Sequence, residues 1–283
     1  MSGLQSRRLW LNLLMLLLVV GLSGLAWWLV NKPQHGEELL YSGTPDAIKL
    51  ITLERPSELE EARKIRFELQ DGYWWMVAPR KIMANGVRLR QLFTFLNEEV
   101  VASYDAAGKD LKQYGLNPGK VTLRFNEQQY VLGINNAVSN NRYVLHKNKI
   151  KLVSEAIYGS VTGDWVNFVS LRLLPEGRQV QSVSLPQGYE QTSDLASSWQ
   201  NADAIRLEPM DSVNQAPEGA GEIVVTFVGG EQMSFWVMGK GDELELAQAD
   251  SGIRYFIPET QAEYLLPPAD DEGADRSPSD SNE

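Results

Sequence analysis

Two histidines and no cysteine leave this chain little material for metal or nucleophilic chemistry. A structural zinc site draws its ligands from Cys and His at short fixed spacings, and a catalytic one needs three such ligands around an open position. His35 and His146 stand more than a hundred residues apart, neither falls in an HExxH-like pattern, and both read as surface histidines. Without a cysteine there is no thiolate nucleophile and no disulfide. No Gly-x-Ser-x-Gly elbow occurs, and no serine stands three residues before a lysine, so serine hydrolase chemistry lacks its usual handle. Two carboxylate pairs, Glu98 with Glu99 and Glu243 with Glu245, have the composition of an acid and base couple for a glycosidic bond. The first pair ends an amphipathic helical pattern and the second straddles Leu244 at a turn, which reads as solvated faces rather than as a catalytic cleft. Gly229-Gly230 and Gly239-Lys240-Gly241 lie between strand patterns and supply turn geometry, with no following helix to complete a phosphate cradle. The reading is a protein that is not an enzyme and carries no metal or cofactor.

Tyr73, Trp74 and Trp75 are the residues best suited to recognition. Consecutive side chains on a strand point to opposite faces, so the two indoles cannot share one core face. An aromatic left over could stack on a sugar or fill a cavity in a partner protein, whereas the general burial of large aromatics favours cover by a helix or by the second half of the chain. These three residues form the candidate interaction surface.

The elements that must position them follow from the punctuation of the chain. Asp46 to Leu53 alternates as a strand. Ile65 to Leu69 and Tyr73 to Val77 are joined through Asp71-Gly72, a pair suited to the positive φ angles of a hairpin turn. Leu89, Leu92, Phe93 and Leu96 fall at helical spacing, with Asn85 placed to cap the helix. Strands follow at Val100 to Tyr104, Val121 to Phe125, Gln129 to Ile134, Arg142 to His146 and Ile150 to Val153, the last pair closed by Lys147-Asn148. Ser154 and Glu155 then open a short helix bearing Ile157, Tyr158 and Val161.

The same order recurs in the second half. Phe67 to Tyr73 is echoed by Val183 to Tyr189. Ser193 to Ala202 matches the Leu89 helix, and Ala204 to Leu207 the strand after it. Glu222 to Val228, Gln232 to Val237, Leu244 to Ala249 and Ile253 to Ile257 then match the four strands from Val121 to Val153, and Pro258 to Leu266 the closing helix. The fold class expected is α+β, with an N-terminal transmembrane helix followed by two tandem sheet-plus-helix units dominated by antiparallel hairpins. The units span 46–174 and 178–266, with a boundary at Pro175-Glu176-Gly177.

The first thirty residues carry a localisation signal. Arg7 and Arg8 precede an apolar run from Leu9 to Val30 in which Asn12 is the strongly polar exception. As a helix the run spans roughly 33 Å, enough for a hydrocarbon core of about 30 Å. Trp10 at one end and Trp27 with Trp28 at the other stand where indoles favour the interface, and the arginines place the N-terminus in the cytoplasm. Gly24-Leu25-Ala26 resembles a cleavage site, but the apolar stretch exceeds that of a cleaved signal, so the reading is a retained anchor. Residues 1–8 are then cytoplasmic, 9–30 span the inner membrane, 31–45 are a linker and the bulk is periplasmic. The net charge of -11 argues against nucleic acid as a partner. Part of that charge sits in 267–283, whose composition reads as a solvated acidic tail.

From Ile51 to Leu174 the chain resembles bacterial domain-of-unknown-function family 4340. The resemblance rests on a strand, an aromatic hairpin, an amphipathic helix and then a turn, here Leu111, Tyr114, Gly115, Leu116, Asn117 and Pro118, with Tyr143 in a later strand before a hairpin. The proline stands one place earlier than in the usual form of the motif. The resemblance implies a membrane-anchored periplasmic domain, found as an auxiliary part of gliding-motility-type ABC transport systems, and brings no catalytic residue. The function expected is that of a non-catalytic single-pass inner-membrane protein that binds membrane-protein partners such as an ABC permease. The alternative is a periplasmic glycan-binding or glycan-processing module built on Trp74 and Trp75.

Overall fold

The computed structural model describes residues 3–30, 38–41, 43–57, 63–210, 216 and 218–269. Among these residues it is a mixed α+β fold with five α-helices and two sheets of antiparallel strand pairs. The first helix, α1 (Gly3–Val30), runs through 28 residues, and its described side chains, among them Trp10, Leu13, Leu25 and Trp27, are exposed. Among the described residues no helix is long and apolar enough to cross a membrane. The side chains of Arg7, Arg8 and Trp28 lie outside the described residues, as do His35 and the acidic tail from Asp270.

The first sheet has nine strands: β1 (Leu50–Glu54), β2 (Lys64–Gln70), β3 (Tyr73–Ala78), β4 (Ile82–Met83), β5 (Ala102–Asp105), β6 (Val121–Phe125), β7 (Gln128–Asn136), β8 (Asn141–His146) and β9 (Lys149–Ser154), in the order β4-β3-β2-β1-β6-β7-β8-β9-β5. The second has six: β10 (Val180–Ser184), β11 (Arg206–Pro209), β12 (Glu222–Phe227), β13 (Gln232–Lys240), β14 (Glu243–Gln248) and β15 (Ile253–Pro258), in the order β10-β12-β13-β14-β15-β11. Local chemistry sets the turns. Asp71 and Gly72 take φ of 52° and 84°, and Lys147 and Asn148 take 45° and 60°, the left-handed values that a two-residue hairpin needs. The strand expected from Asp46 begins instead at Leu50, because Pro45–Ala47 closes a 3-10 turn in which Ile48 N–H donates to the Pro45 carbonyl.

The helices α2 (Gly86–Thr94), α3 (Ile157–Thr162), α4 (Leu195–Gln200) and α5 (Glu259–Leu265) bury their apolar stripes on the sheets. Asn85 caps α2, its Oδ1 accepting from the N–H groups of Val87 at 3.0 Å and Arg88 at 3.2 Å. Leu89 and Leu92 are buried on α2, and Phe95 and Leu96 continue the stripe in a 3-10 turn. Phe95 meets Tyr130 edge-on at 5.2 Å, while in the second half Trp199 of α4 lies 5.4 Å from Phe235.

The motif at Leu111 to Pro118 has a packing role. Leu111, Tyr114 and Leu116 fold over the other face of the first sheet, against Val131, Tyr143, Leu145 and Ile150, as a small separate core. Tyr114 and Tyr143 meet edge-on at 5.0 Å. The turn can lie this close because β7 carries Gly133 there: a Cβ at that position would stand 2.1 Å from the Tyr114 carbonyl oxygen.

Both sheets share one order of connections. β1 pairs with β6 as β10 pairs with β12, and β5 pairs with β9 as β11 pairs with β15. Small details coincide: Val101 N–H donates to Leu152 O where Ile205 N–H donates to Phe256 O, and Ala106 N–H to Asn148 O where Met210 N–H donates to Gly252 O. The echo of Phe67–Tyr73 in Val183–Tyr189 is corrected by this pairing, since β10 stands in the place of β1 rather than of β2. The hairpin from β2 to β4 has no counterpart among the described strands of the second sheet and extends the first sheet beyond β1.

Candidate functional site

The added hairpin joins the two sheets. Residues 168–170 pair with the end of β4, Asn85 N–H donating to Phe168 O and Ser170 N–H to Met83 O. The residues that follow, 171–173, pair with 202–204, through Leu173 N–H to Ala202 O and Ala204 N–H to Leu171 O. Arg80, in the turn between β3 and β4, reaches across to the second sheet, donating to the carbonyls of Met210, Ser251 and Gly252 at 3.0, 3.2 and 2.6 Å. Its guanidinium also lies 5.2 Å from the centre of the Trp165 ring. Buried residues of both halves belong to one core.

Grooves open on either side of this seam, and neighbouring tryptophans line them. Trp74, half-buried, packs on Phe93 of α2 at 5.9 Å and lines a groove of about 490 Å³ whose other walls include Asn85, Arg90, Leu171, Arg172 and Asp203. Trp75, also half-buried, lines a groove of about 500 Å³ against Leu173, Leu174, Pro175, Met233 and the Arg178–Glu231 ion pair. The opposite directions of the two indoles follow from the two-residue period of β3. Cover from the second half, expected for one of them, comes to Trp75 in part. Tyr73 is half-buried and lies against Gly177, where φ is +80° and an added Cβ would come within 2.6 Å of the ring. The turn that begins the second half is therefore shaped around the hairpin of the first.

The Trp75 groove has an apolar floor and a mixed rim. Ile82, Met83, Leu173, Leu174 and Met233 supply the floor, and Lys81, Arg178, Glu231 and Asp250 bring both signs of charge. Below it Gln248 and Ser251 are buried, with Gln248 Oε1 accepting from Ser251 Oγ at 2.6 Å and from Tyr255 Oη at 3.3 Å. Such a groove can take an apolar side chain on adaptable methionines while the rim orients polar groups around it. Reading along the sequence finds Trp75 by its type. Arg178, Met233 and Asp250 carry no local signal, because pairing between distant segments brings them there.

The remaining candidates separate. His146 is buried rather than on the surface: its ring stacks on Tyr130 at 4.1 Å and Nδ1 lies 2.8 Å from the Gln129 carbonyl. Burial lowers its pKa, the Gln129 hydrogen bond opposes the shift, and Lys147 and Lys151 add to it. Glu243 and Glu245 are paired to Arg206 and Arg254. Burial together with the Glu99 charge raises the pKa of Glu98. Among the described residues no group of three His, Asp or Glu could hold a metal ion. No family model matches the chain, and no curated protein or solved structure matches it either.

Proposed function

We propose that this chain is a non-catalytic, single-pass inner-membrane protein, held by residues 9–30 with Arg7 and Arg8 in the cytoplasm and Trp10, Trp27 and Trp28 at the two interfaces. Its periplasmic region, of the kind that family 4340 represents, comprises two tandem α+β units and binds membrane-protein partners, as an auxiliary component of an ABC-type transport or envelope complex. The observation that carries the binding role is the Trp75 groove. A half-exposed indole beside two methionines, at a seam where two sheets meet, has the composition of an interface anchor pocket. The anchor rests on the apolar run and its flanks. The shared order of strand connections supports the two units.

The test is crosslinking in native membranes from a photoreactive residue placed at Met233, with mass spectrometry of the product. Capture of a polytopic permease and its ATPase, lost on adding Trp75→Ala, is the expected result. Capture that ignores Trp75 would overturn the groove as the contact. A second reading, glycan binding, rests on the same indole beside Glu231 and Asp250. It requires tryptophan fluorescence to shift on adding cell-wall fragments, and an unchanged spectrum removes it.

A further inference from the structure

The groove on the Trp74 side of β3 is separate from the Trp75 groove, because consecutive residues of a strand point to opposite faces. Both halves of the chain wall it: Trp74 comes from β3 and Arg90 from α2, Ser170, Arg172 and Glu176 from the segment between the halves, and Asp203 from the second half. Its volume of about 490 Å³ falls among small-ligand sites, which run from about 300 to 1,000 Å³. Trp74 is half-buried, packed on Phe93 at 5.9 Å and still lining the groove.

The polar groups on these walls are of both kinds. Arg90 is exposed and leans over the first turn of α2, where a Cβ on Gly86 would lie 3.7 Å from its Nη1. Arg172 stands between two exposed carboxylates, 3.4 Å from Glu176 and 3.8 Å from Asp203, longer than a tight charged pair. Ser170 is buried, and its Oγ accepts from the Arg172 N–H at 3.1 Å, which leaves its own proton to donate. This mixture selects a ligand by exclusion. An apolar side chain would take water from guanidinium groups, carboxylates and a hydroxyl and return no hydrogen bond. An anion meets Asp203 and Glu176, and a cation meets Arg90 and Arg172. A sugar hydroxyl donates and accepts at once and so satisfies both kinds of wall, while the C–H face of a pyranose ring stacks on an indole.

We propose that the Trp74 groove binds a neutral saccharide, with one ring lying on Trp74 and its hydroxyls bonded to Arg90, Arg172, Asp203 and Ser170. Because Asp203 comes from the second half, the ligand bridges the seam between the halves and stabilises it. The site does not depend on the partner contact assigned to the Trp75 groove, and either can fail alone.

The test titrates the full chain, in micelles of a detergent without a sugar headgroup, with cellobiose and N,N′-diacetylchitobiose, and with glucuronate and glucosamine as charged controls. Saturation-transfer NMR reads the sugar protons, and thermal unfolding reads the chain. At least one neutral disaccharide is expected to bind through the protons of one ring face and to raise the unfolding midpoint, with both charged sugars weaker by about tenfold. Arg90→Ala and Asp203→Ala, both at exposed positions, should each weaken binding by about tenfold, and Trp74→Ala should abolish it. Trp75→Ala should leave it unchanged, which separates this site from any saccharide contact in the other groove. If Trp74→Ala does not fold, the two exposed variants decide alone. Absence of binding by both disaccharides overturns the proposal. So does equal or tighter binding of a charged sugar, or binding that Trp75→Ala removes while Arg90→Ala and Asp203→Ala leave it intact.

Discussion

Arg80 and Gly252 join the two sheets: the guanidinium of the first donates to the carbonyl of the second at 2.6 Å, across 172 positions of sequence. The same side chain also holds the carbonyls of Met210 and Ser251. Arg80→Ala leaves these part-buried acceptors short of a donor, and a charged hydrogen bond of this kind contributes about 1.5–3 kcal/mol. The variant should lose that much stability and separate the unfolding of the halves, so that guanidinium curves followed by tryptophan emission and by far-UV dichroism no longer coincide. Arg80→Lys should restore little, because one ammonium cannot reproduce the planar fork that spans three carbonyls.

A second cation is committed inside the first half. Arg142 is buried, lies 3.4 Å from the centre of the Tyr158 ring and donates through Nε to Glu155 at 2.9 Å, with a further bond from its terminal nitrogen to the same carboxylate. The Arg142 hydrogen bond is the largest cause holding the Glu155 carboxyl below its usual pKa. A depressed carboxylate contributes stability above its unfolded pKa and loses it as pH falls through the folded value. Glu155→Gln should therefore cost about 2–3 kcal/mol at pH 7, leaving a buried charge half-partnered. The cost should shrink in acid, where the native carboxylate is protonated too. Urea unfolding of both proteins from pH 7 to pH 3 measures the convergence.

Local chemistry was legible in the sequence and distant pairing was not. Asp71-Gly72, Lys147-Asn148 and the Asn85 cap are short-range signals, and the chain obeys each of them. The opposed directions of Trp74 and Trp75 follow from the period of a strand alone. By contrast, nothing near 169–172 announces that this segment sits between β4 and the approach to β11, since that depends on Val169 pairing with Ala84, 85 positions before it, and on Arg172 pairing with Asp203, 31 positions after it. His146 read as a surface residue because it ends a strand beside a lysine. Its burial comes from Tyr130 on the neighbouring β7, which an alternating pattern cannot reveal.

That burial makes a prediction with a definite sign. The pKa of His146 is lowered in the folded chain, chiefly by desolvation. Below the unfolded value of about 6.5 the unfolded chain takes up a proton that the folded chain refuses. Stability should thus be level in this respect above that value and decline as pH falls from it toward the folded pKa. His146→Gln removes the titrating group, and the wild-type minus variant difference in urea midpoint should drop across that window. A difference that stays constant from pH 7.5 to pH 5 would contradict the assignment.

Gln200 supplies the last prediction, because its amide caps an edge rather than filling the core. Its Oε1 accepts from Val180 N–H while its Nε2 donates to Arg178 O. Gln200→Ala frees both groups at once. On an exposed edge water replaces the amide, so the cost in stability should stay near 1 kcal/mol. The larger effect is on association, since β10 then presents open backbone groups beside those already paired with β12. Sedimentation of the variant at rising concentration should show more self-association than the parent. Gln200→Glu keeps the acceptor for Val180 N–H but sets a carboxylate against the Arg178 carbonyl, and its added charge should hold association at the parent's level even though the cap is half lost.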